Sequence, residues 1–374
     1  MKYIKLIALA TAVLLLLTLL PAMAEEHLQI SGLEYQSSME LRYAAQFAVD
    51  YYSGGYKLLS IGDGNRYLLI PEGEKAPEAL EPSIKCIYQP VDRAYLAATS
   101  AMALFDALDA LDVIRLSGTA ESGWYVENAA AAMRSGDILF AGKYSEPDYE
   151  TMVNEGCDLA IESTMILHSP KVIEMIELLG IPVFIENSSY EEHPMGRAEW
   201  IKLYGAMLNR EEEAEAFFNR QAETVQVLEK IENTGKTVAF FYVSSDGSVV
   251  VHKSGGYVPR MIEIAGGKYI FDDLSDPDSN RSSVSLTMEE FYASAIDADF
   301  LIYNATIDNQ LNSVAELLTK SELFADFKAV KEGNVWCTGK YLYQATDITG
   351  SVIEDIHNLI TGDEGDFTFV YKLN

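Results

Sequence analysis

Along most of this chain a short apolar run is followed by a loop of small or polar residues and then by a segment with helical periodicity. The repeat starts at Arg93 and is the mark of parallel α/β architecture, in which buried strands read as continuous apolar runs. In the first half the pattern predicts strands at 95–98, 113–116, 138–141, 159–162 and 183–185. Helices are predicted at 101–111, 148–154 and 170–179, the last stopped by Gly180 and Pro182. In the second half strands are predicted at 238–243, 300–303 and 334–337, with helices at 258–265, 286–295, 313–318 and 348–359.

Between the halves, Asn209 is a candidate N-cap, Glu211, Glu212 and Glu213 complement a helix N-terminus, and apolar residues recur at 214, 217, 218, 222, 225, 228 and 231. One helix over 209–232 accounts for this spacing. It would be about 35 Å long, enough to connect two lobes; a helix lying within one lobe fits the same pattern. Residues 57–61, a Gly62-Asp63-Gly64-Asn65 turn and residues 67–70 predict a small β-hairpin within an N-terminal extension over about 25–90.

The first 24 residues read as a secretory leader, with Lys2 and Lys5, an apolar stretch from Leu6 to Leu20 and Ala22-Met23-Ala24 before Glu25. The alternative is a retained anchor, since the apolar run approaches the roughly 17 to 25 residues that span a bilayer. The first cysteine is Cys86, so no lipid-attachment cysteine follows the apolar stretch. About 350 residues remain, more than one core usually supports, which suggests two lobes: 25–208 and 233–374 around the 209–232 connector. Without the leader's two lysines the chain carries 25 basic and 57 acidic side chains, a formal charge of −32. Such a surface repels nucleic acid and anionic lipid. Cys86, Cys157 and Cys337 are far apart and lack the spacing of a disulfide framework or a zinc site.

Several segments, in order and spacing, resemble the substrate-binding proteins of ABC importers for cobalamin, haem and ferric siderophores. They are Pro147-Asp148-Tyr149-Glu150 before Cys157-Asp158-Leu159-Ala160-Ile161, the run 173–183, and 211–218. The second half adds Ser254-Gly255-Gly256-Tyr257 before Ile264-Ala265-Gly266-Gly267, then Met288-Glu289-Glu290-Phe291 before Asp299-Phe300-Leu301-Ile302, and the run 327–336. The resemblance implies an α/β fold of two Rossmann-like lobes with parallel-rich sheets joined by one long connecting helix. It further implies an exported, monomeric carrier that needs no cofactor and hands a small-molecule ligand, an iron chelate above all, to a membrane permease. Glu150 and Glu289 match the surface glutamates that dock such carriers on the permease.

Ligands of parallel α/β lobes bind beyond the carboxyl ends of the strands. The loops there present Thr99 and Ser100, Trp124 and Tyr125, Lys143 and Tyr144, Ser163 to Met165, and the long stretch 187–197 with Tyr190, His193 and Arg197. The second half offers His252, Lys253, Tyr257, Arg260, Asn304, Trp336, Tyr341 and Tyr343. Of these, Trp124, Tyr125, Tyr144, Ser163, Tyr190, His193, Arg197, Tyr257, Arg260 and Tyr343 form the expected ligand site. Aromatic faces with a few cationic forks suit a bulky, partly apolar ligand carrying anionic groups.

Cobalamin is an alternative ligand, and so is a bare divalent metal ion held by His168, His193 and His252. A surface sensor that uses the same lobes without transport is another. Enzyme signatures are lacking: there is no G-x-S-x-G, H-E-x-x-H, P-loop or G-x-G-x-x-G after a strand. Binding rather than catalysis is expected.

Overall fold

The computed structural model describes residues 27–274, 282–363 and 365–374; the leader expected over residues 1–24 lies outside the described residues. The described chain opens with a five-stranded sheet, β1 (Tyr35–Ser38), β2 (Phe47–Tyr52), β3 (Lys57–Ile61), β4 (Arg66–Ile70) and β5 (Ile84–Tyr88), paired in that order. The first four strands are antiparallel, and β5 joins β4 in parallel. A hairpin alone was expected over this region. The larger sheet forms because both its faces are covered. Val49, Leu59, Tyr67 and Leu69 enter the main core, while Tyr52, Leu58, Leu68 and Ile70 form a second core with Leu28, Leu33, Ala76 and Leu80.

The first lobe follows with β6 (Ala94–Leu96), α1 (Thr99–Ala107), β7 (Ile114–Ser117), α2 (Glu127–Ser135) and β8 (Leu139–Phe140). A short ribbon, β9 (Gly142–Lys143) with β10 (Glu146–Pro147), leads to α3 (Tyr149–Asn154), β11 (Leu159–Ser163), α4 (Pro170–Leu178) and β12 (Val183–Glu186). The sheet order is β12-β11-β6-β7-β8, parallel throughout. Strand order reverses between β6 and β11, so the loops after these strands diverge and leave a crevice at their carboxyl ends.

Two helices come next, α5 (Pro194–Leu208) and α6 (Glu211–Leu228), turned at Asn209, which closes α5 in the left-handed conformation (φ 56°). The predicted 209–232 helix is therefore shorter, 18 residues, or about 27 Å, and Ile231 lies beyond it, 42 % exposed. It buries the expected stripe of Ala214, Phe218, Ala222, Val225 and Leu228. Helix α5 packs against it, and so does a helix of the second lobe. Buried Lys57 locks the turn, its Nζ donating to the Ala206 carbonyl and Asn209 Oδ1, both at 2.8 Å, and to Glu211. The ammonium thereby satisfies a carbonyl at the α5 C-terminus and pairs with the acidic first turn of α6.

The second lobe contains β13 (Thr237–Val243), β14 (Val249–His252), α7 (Tyr257–Ile264), β15 (Lys268–Tyr269), β16 (Ser283–Leu286), α8 (Met288–Ala295) and β17 (Phe300–Tyr303). It ends with α9 (Val314–Lys320), α10 (Lys328–Glu332), β18 (Val335–Thr338), α11 (Thr349–Thr361) and β19 (Val370–Lys372). Its seven-stranded sheet runs β16-β14-β13-β17-β18-β19 with β15 on β13. Strand β14 pairs antiparallel with β13, β16 antiparallel with β14, and β19 antiparallel with β18, at the two edges of a parallel centre. The predicted helix start at 286 shifts to Met288, since Leu286 ends β16 and Thr287 caps α8.

Candidate interlobe ligand site

A cavity of about 610 Å³ opens between the lobes, within the range of small-molecule sites. The first lobe contributes Thr99 and Ser100 from the start of α1, Ser163 to Met165 at and just beyond the end of β11, Glu186 at the end of β12, Ser188 to Glu192, and Arg197 from the first turn of α5. The second lobe contributes His252, Gly255, Gly256, Tyr257, Ser282 and Tyr343. Gly255 sits at φ 76°, so the tight entry into α7 requires a residue that tolerates left-handed backbone.

Arg197 joins the two halves. Its guanidinium lies 3.8 Å from the centre of the Tyr257 ring, Nη2 donates to the Ser189 carbonyl at 2.9 Å, and buried Nε has no protein partner. Buried Tyr257 OH and His252 Nδ1 are likewise without protein partners. Burial, assisted by Arg197, pushes the His252 imidazole down to about 4, so the ring is neutral near pH 7. Burial pushes the Tyr257 and Tyr343 hydroxyls up. Glu186 is 2 % exposed; it accepts from Ser100 Oγ at 3.2 Å and Ser188 N at 3.1 Å. Burial raises its pKa, opposed by those hydrogen bonds and by Arg197.

Of the ten residues expected from sequence, the cavity gathers Ser163, Tyr190, Arg197, Tyr257 and Tyr343. The other five lie elsewhere, each for a structural reason. Trp124 is buried in the main core, its Nε1 donating to Ser117 Oγ at 3.0 Å. Tyr125 lines a separate interlobe crevice of about 230 Å³, its N–H donating to Gln344 Oε1 at 2.8 Å and its ring 6.2 Å from Tyr341. Tyr144 packs against the outer core of the first lobe. His193 caps α5, Nδ1 accepting from Met195 N at 3.1 Å while the ring stacks on Tyr43. Arg260 is exposed on α7 and pairs with Glu263 at 2.9 Å.

The expected wealth of cations in the cleft reduces to Arg197 among its described lining residues, with Glu186, Glu191 and Glu192 beside it. Glu186 is the residue that sequence reading missed: a carboxyl closing the apolar run 183–185 is the signal it gives. The three histidines of the metal-ion alternative do not converge. His168 is exposed at the end of the turn Thr164–His168, His193 caps a helix and His252 is buried in the second lobe. Among the described residues no group of three or more His, Cys, Asp or Glu side chains is placed to hold a metal ion.

Glu150 and Glu289 stand at matching places, the second residue of α3 and of α8, both exposed. Their neighbours are committed locally. Asp148 caps α3 by accepting from Thr151 N, and Glu290 completes a capping box with Thr287. Glu289 and Glu290 are both exposed, and Glu290 is the one engaged in the cap.

Two α/β lobes enclosing a cleft beyond their strand ends define a two-lobed solute-binding protein. The chain belongs to the periplasmic binding protein family, whose model matches residues 98–342. That is a family of binding proteins rather than enzymes, and it places the chain outside the cytoplasm. An uncharacterised lipoprotein of Methanocaldococcus jannaschii is 27% identical over 355 residues, covering 88% of this chain and 81% of its own. Among solved structures, the periplasmic haem-binding protein HutB of Vibrio cholerae matches with TM-score 0.57 and 16% identity, covering 72% of this chain and 98% of its own. A possible iron-binding periplasmic protein of Staphylococcus epidermidis matches with TM-score 0.55 and 17% identity over the same shares. Among the described residues no helix is long and apolar enough to cross a membrane.

Proposed function

We propose that this protein captures an iron complex bearing anionic groups in the interlobe cleft and delivers it to an ABC permease, docking through Glu150 and Glu289. The observation that carries the reading is Arg197: a guanidinium stacked on Tyr257, with a buried, unpartnered Nε, the cation among the described residues of a cavity lined by hydroxyls, tyrosines and three glutamates. A planar fork prepared in this way favours carboxylate-like oxygens. Tyr190 and Tyr343 add aromatic faces for the body of a chelate. The haem-binding and iron-binding proteins of the same fold support the choice of iron.

The test is absorbance and native mass spectrometry of protein purified from its source, followed by titration with haemin, a ferric hydroxamate, cyanocobalamin and zinc. Saturable binding of a ferric complex is expected. Tight binding of cyanocobalamin or zinc, with no response to the ferric complexes, overturns the reading.

A further inference from the structure

Five consecutive backbone N–H groups in the β1–β2 loop of the N-terminal sheet donate to two buried carboxylates at the edge of the cleft. Arg42, Tyr43 and Ala44 donate to Glu199 at 2.8 to 3.0 Å. Ala45 and Gln46 donate to Glu191 at 2.8 and 2.9 Å. Trp200 Nε1 adds a third donor to Glu191 at 3.0 Å, and Lys202 pairs with Glu199 at 3.1 Å. Glu199 is 0 % exposed and Glu191 3 %. Burying a carboxylate is costly unless its oxygens are satisfied, so this set of donors fixes where both side chains sit.

The contact continues into the cleft loop. The Tyr43 ring stacks on His193 at 4.5 Å. A Cβ added at Gly196 would lie 3.1 Å from the Tyr43 carbonyl and 3.0 Å from the Glu191 carboxylate, so the two chains pass in close contact there. The stretch braced in this way carries Ser188 to Glu192 and leads into Arg197, half of the first lobe's contribution to the cavity. The sheet itself precedes the family match, which begins at residue 98.

We propose that the N-terminal sheet is a working part of the ligand site: through the β1–β2 loop and the Glu191 and Glu199 carboxylates it sets the position of the 187–197 stretch. Glu199, which does not line the cavity, is then a positioning residue for ligand binding. Preorganisation of this kind removes an ordering cost from each binding event.

The test uses the mature chain carrying Glu199→Gln, which keeps the volume but turns an amide NH2 toward backbone donors. The control is Glu215→Gln, which removes an α6 carboxylate paired with Lys202 at 2.7 Å. Hydrogen exchange of peptides over 187–197 is read beside titrations with haemin and a ferric hydroxamate. Expected for Glu199→Gln is exchange in 187–197 faster by about tenfold or more and affinity weaker by about tenfold, with the control near wild type. Faster exchange confined to 42–46, with 187–197 and affinity unchanged, overturns the proposal.

The affinity arm rests on the proposed iron-complex reading and the exchange arm does not. Wild-type protein that binds neither probe refutes that reading, and the exchange result alone then decides this one. Should Glu199→Gln fail to fold, Tyr43→Ala, which keeps every backbone donor and removes the ring against His193, is judged by the same exchange criterion.

Discussion

Replacing Arg197 with methionine removes the charge and the fork but keeps an apolar stem against Tyr257. In the free protein this forfeits the cation–π contact at 3.8 Å and the hydrogen bond to the Ser189 carbonyl. Those contribute about 0.5 to 2 kcal/mol and about 1 kcal/mol respectively, so a loss of about 2 kcal/mol in unfolding free energy is expected. The ligand-bound state loses in addition the charge-assisted bonds made by the unpartnered Nε and its neighbours, about 1.5 to 3 kcal/mol, or an affinity weaker by about 10- to 100-fold. Calorimetric titration with haemin or a carboxylate-bearing ferric chelate at fixed ionic strength measures the second effect. Chemical denaturation without ligand measures the first. Arg197→Lys should recover only part of the affinity, because a point charge reproduces neither the fork nor the stack. Arg260→Met should leave affinity unchanged, since that guanidinium lies outside the cavity and pairs with Glu263. Unaltered affinity in Arg197→Met, with the expected fall in stability, would refute the anionic-ligand argument.

Glu162, fully buried with neither oxygen partnered, is pushed up to about 8 by burial. A raised folded pKa gives stability that is present below the ordinary carboxylate value and is lost as pH rises toward 8. His252, pushed down to about 4, loses its contribution only as pH falls below about 6.5. Between pH 6.5 and 8 the Glu162 effect therefore stands clear of it, and Glu162→Gln should lessen the decline in unfolding free energy over that window by about 2 kcal/mol. Equal pH slopes for variant and wild type would show that the carboxyl is ionised in the folded state. Charge reversal at both Glu150 and Glu289 should abolish permease binding and uptake while leaving the ligand affinity of the isolated protein intact. Transport that survives the double reversal would remove the docking assignment.

The parallel strands were legible because burial on both faces writes them as apolar runs: β11, β12 and β17 lie within a residue of their expected limits. Strand β14 was missed although its signal is present. Asp246-Gly247 stands between an aromatic-rich apolar run and a run of valines, Gly247 takes φ 83°, and Asp246 accepts from Ser248 N, so the segment is a tight hairpin turn. Helix α5 has no readable stripe because its surroundings bury nearly every residue, Glu199 and Lys202 included. The cleft was legible only as a set of loops. Periodicity places a loop at a strand end but does not say which way each side chain turns, and so Trp124 went to the core. His193 did carry a local sign, since it precedes Pro194 at a helix start, where capping is the expected role.

The charge of the chain and the chemistry of the cleft are reconciled by distance. A formal −30 repels an anionic complex during approach, but at physiological salt that field is screened over about 8 Å, so capture depends on what the ligand meets inside the cavity. There two of the three acidic side chains of the lining are held by local partners. Glu191 is satisfied by two backbone N–H groups and an indole, Glu186 is held toward its protonated form, and His252 is neutral. Arg197 is the cation among the described lining residues, in surroundings where part of its hydration has already been replaced by the Tyr257 ring and the Ser189 carbonyl. On the proposed reading, selectivity for an anionic chelate rests on that local guanidinium rather than on the net charge.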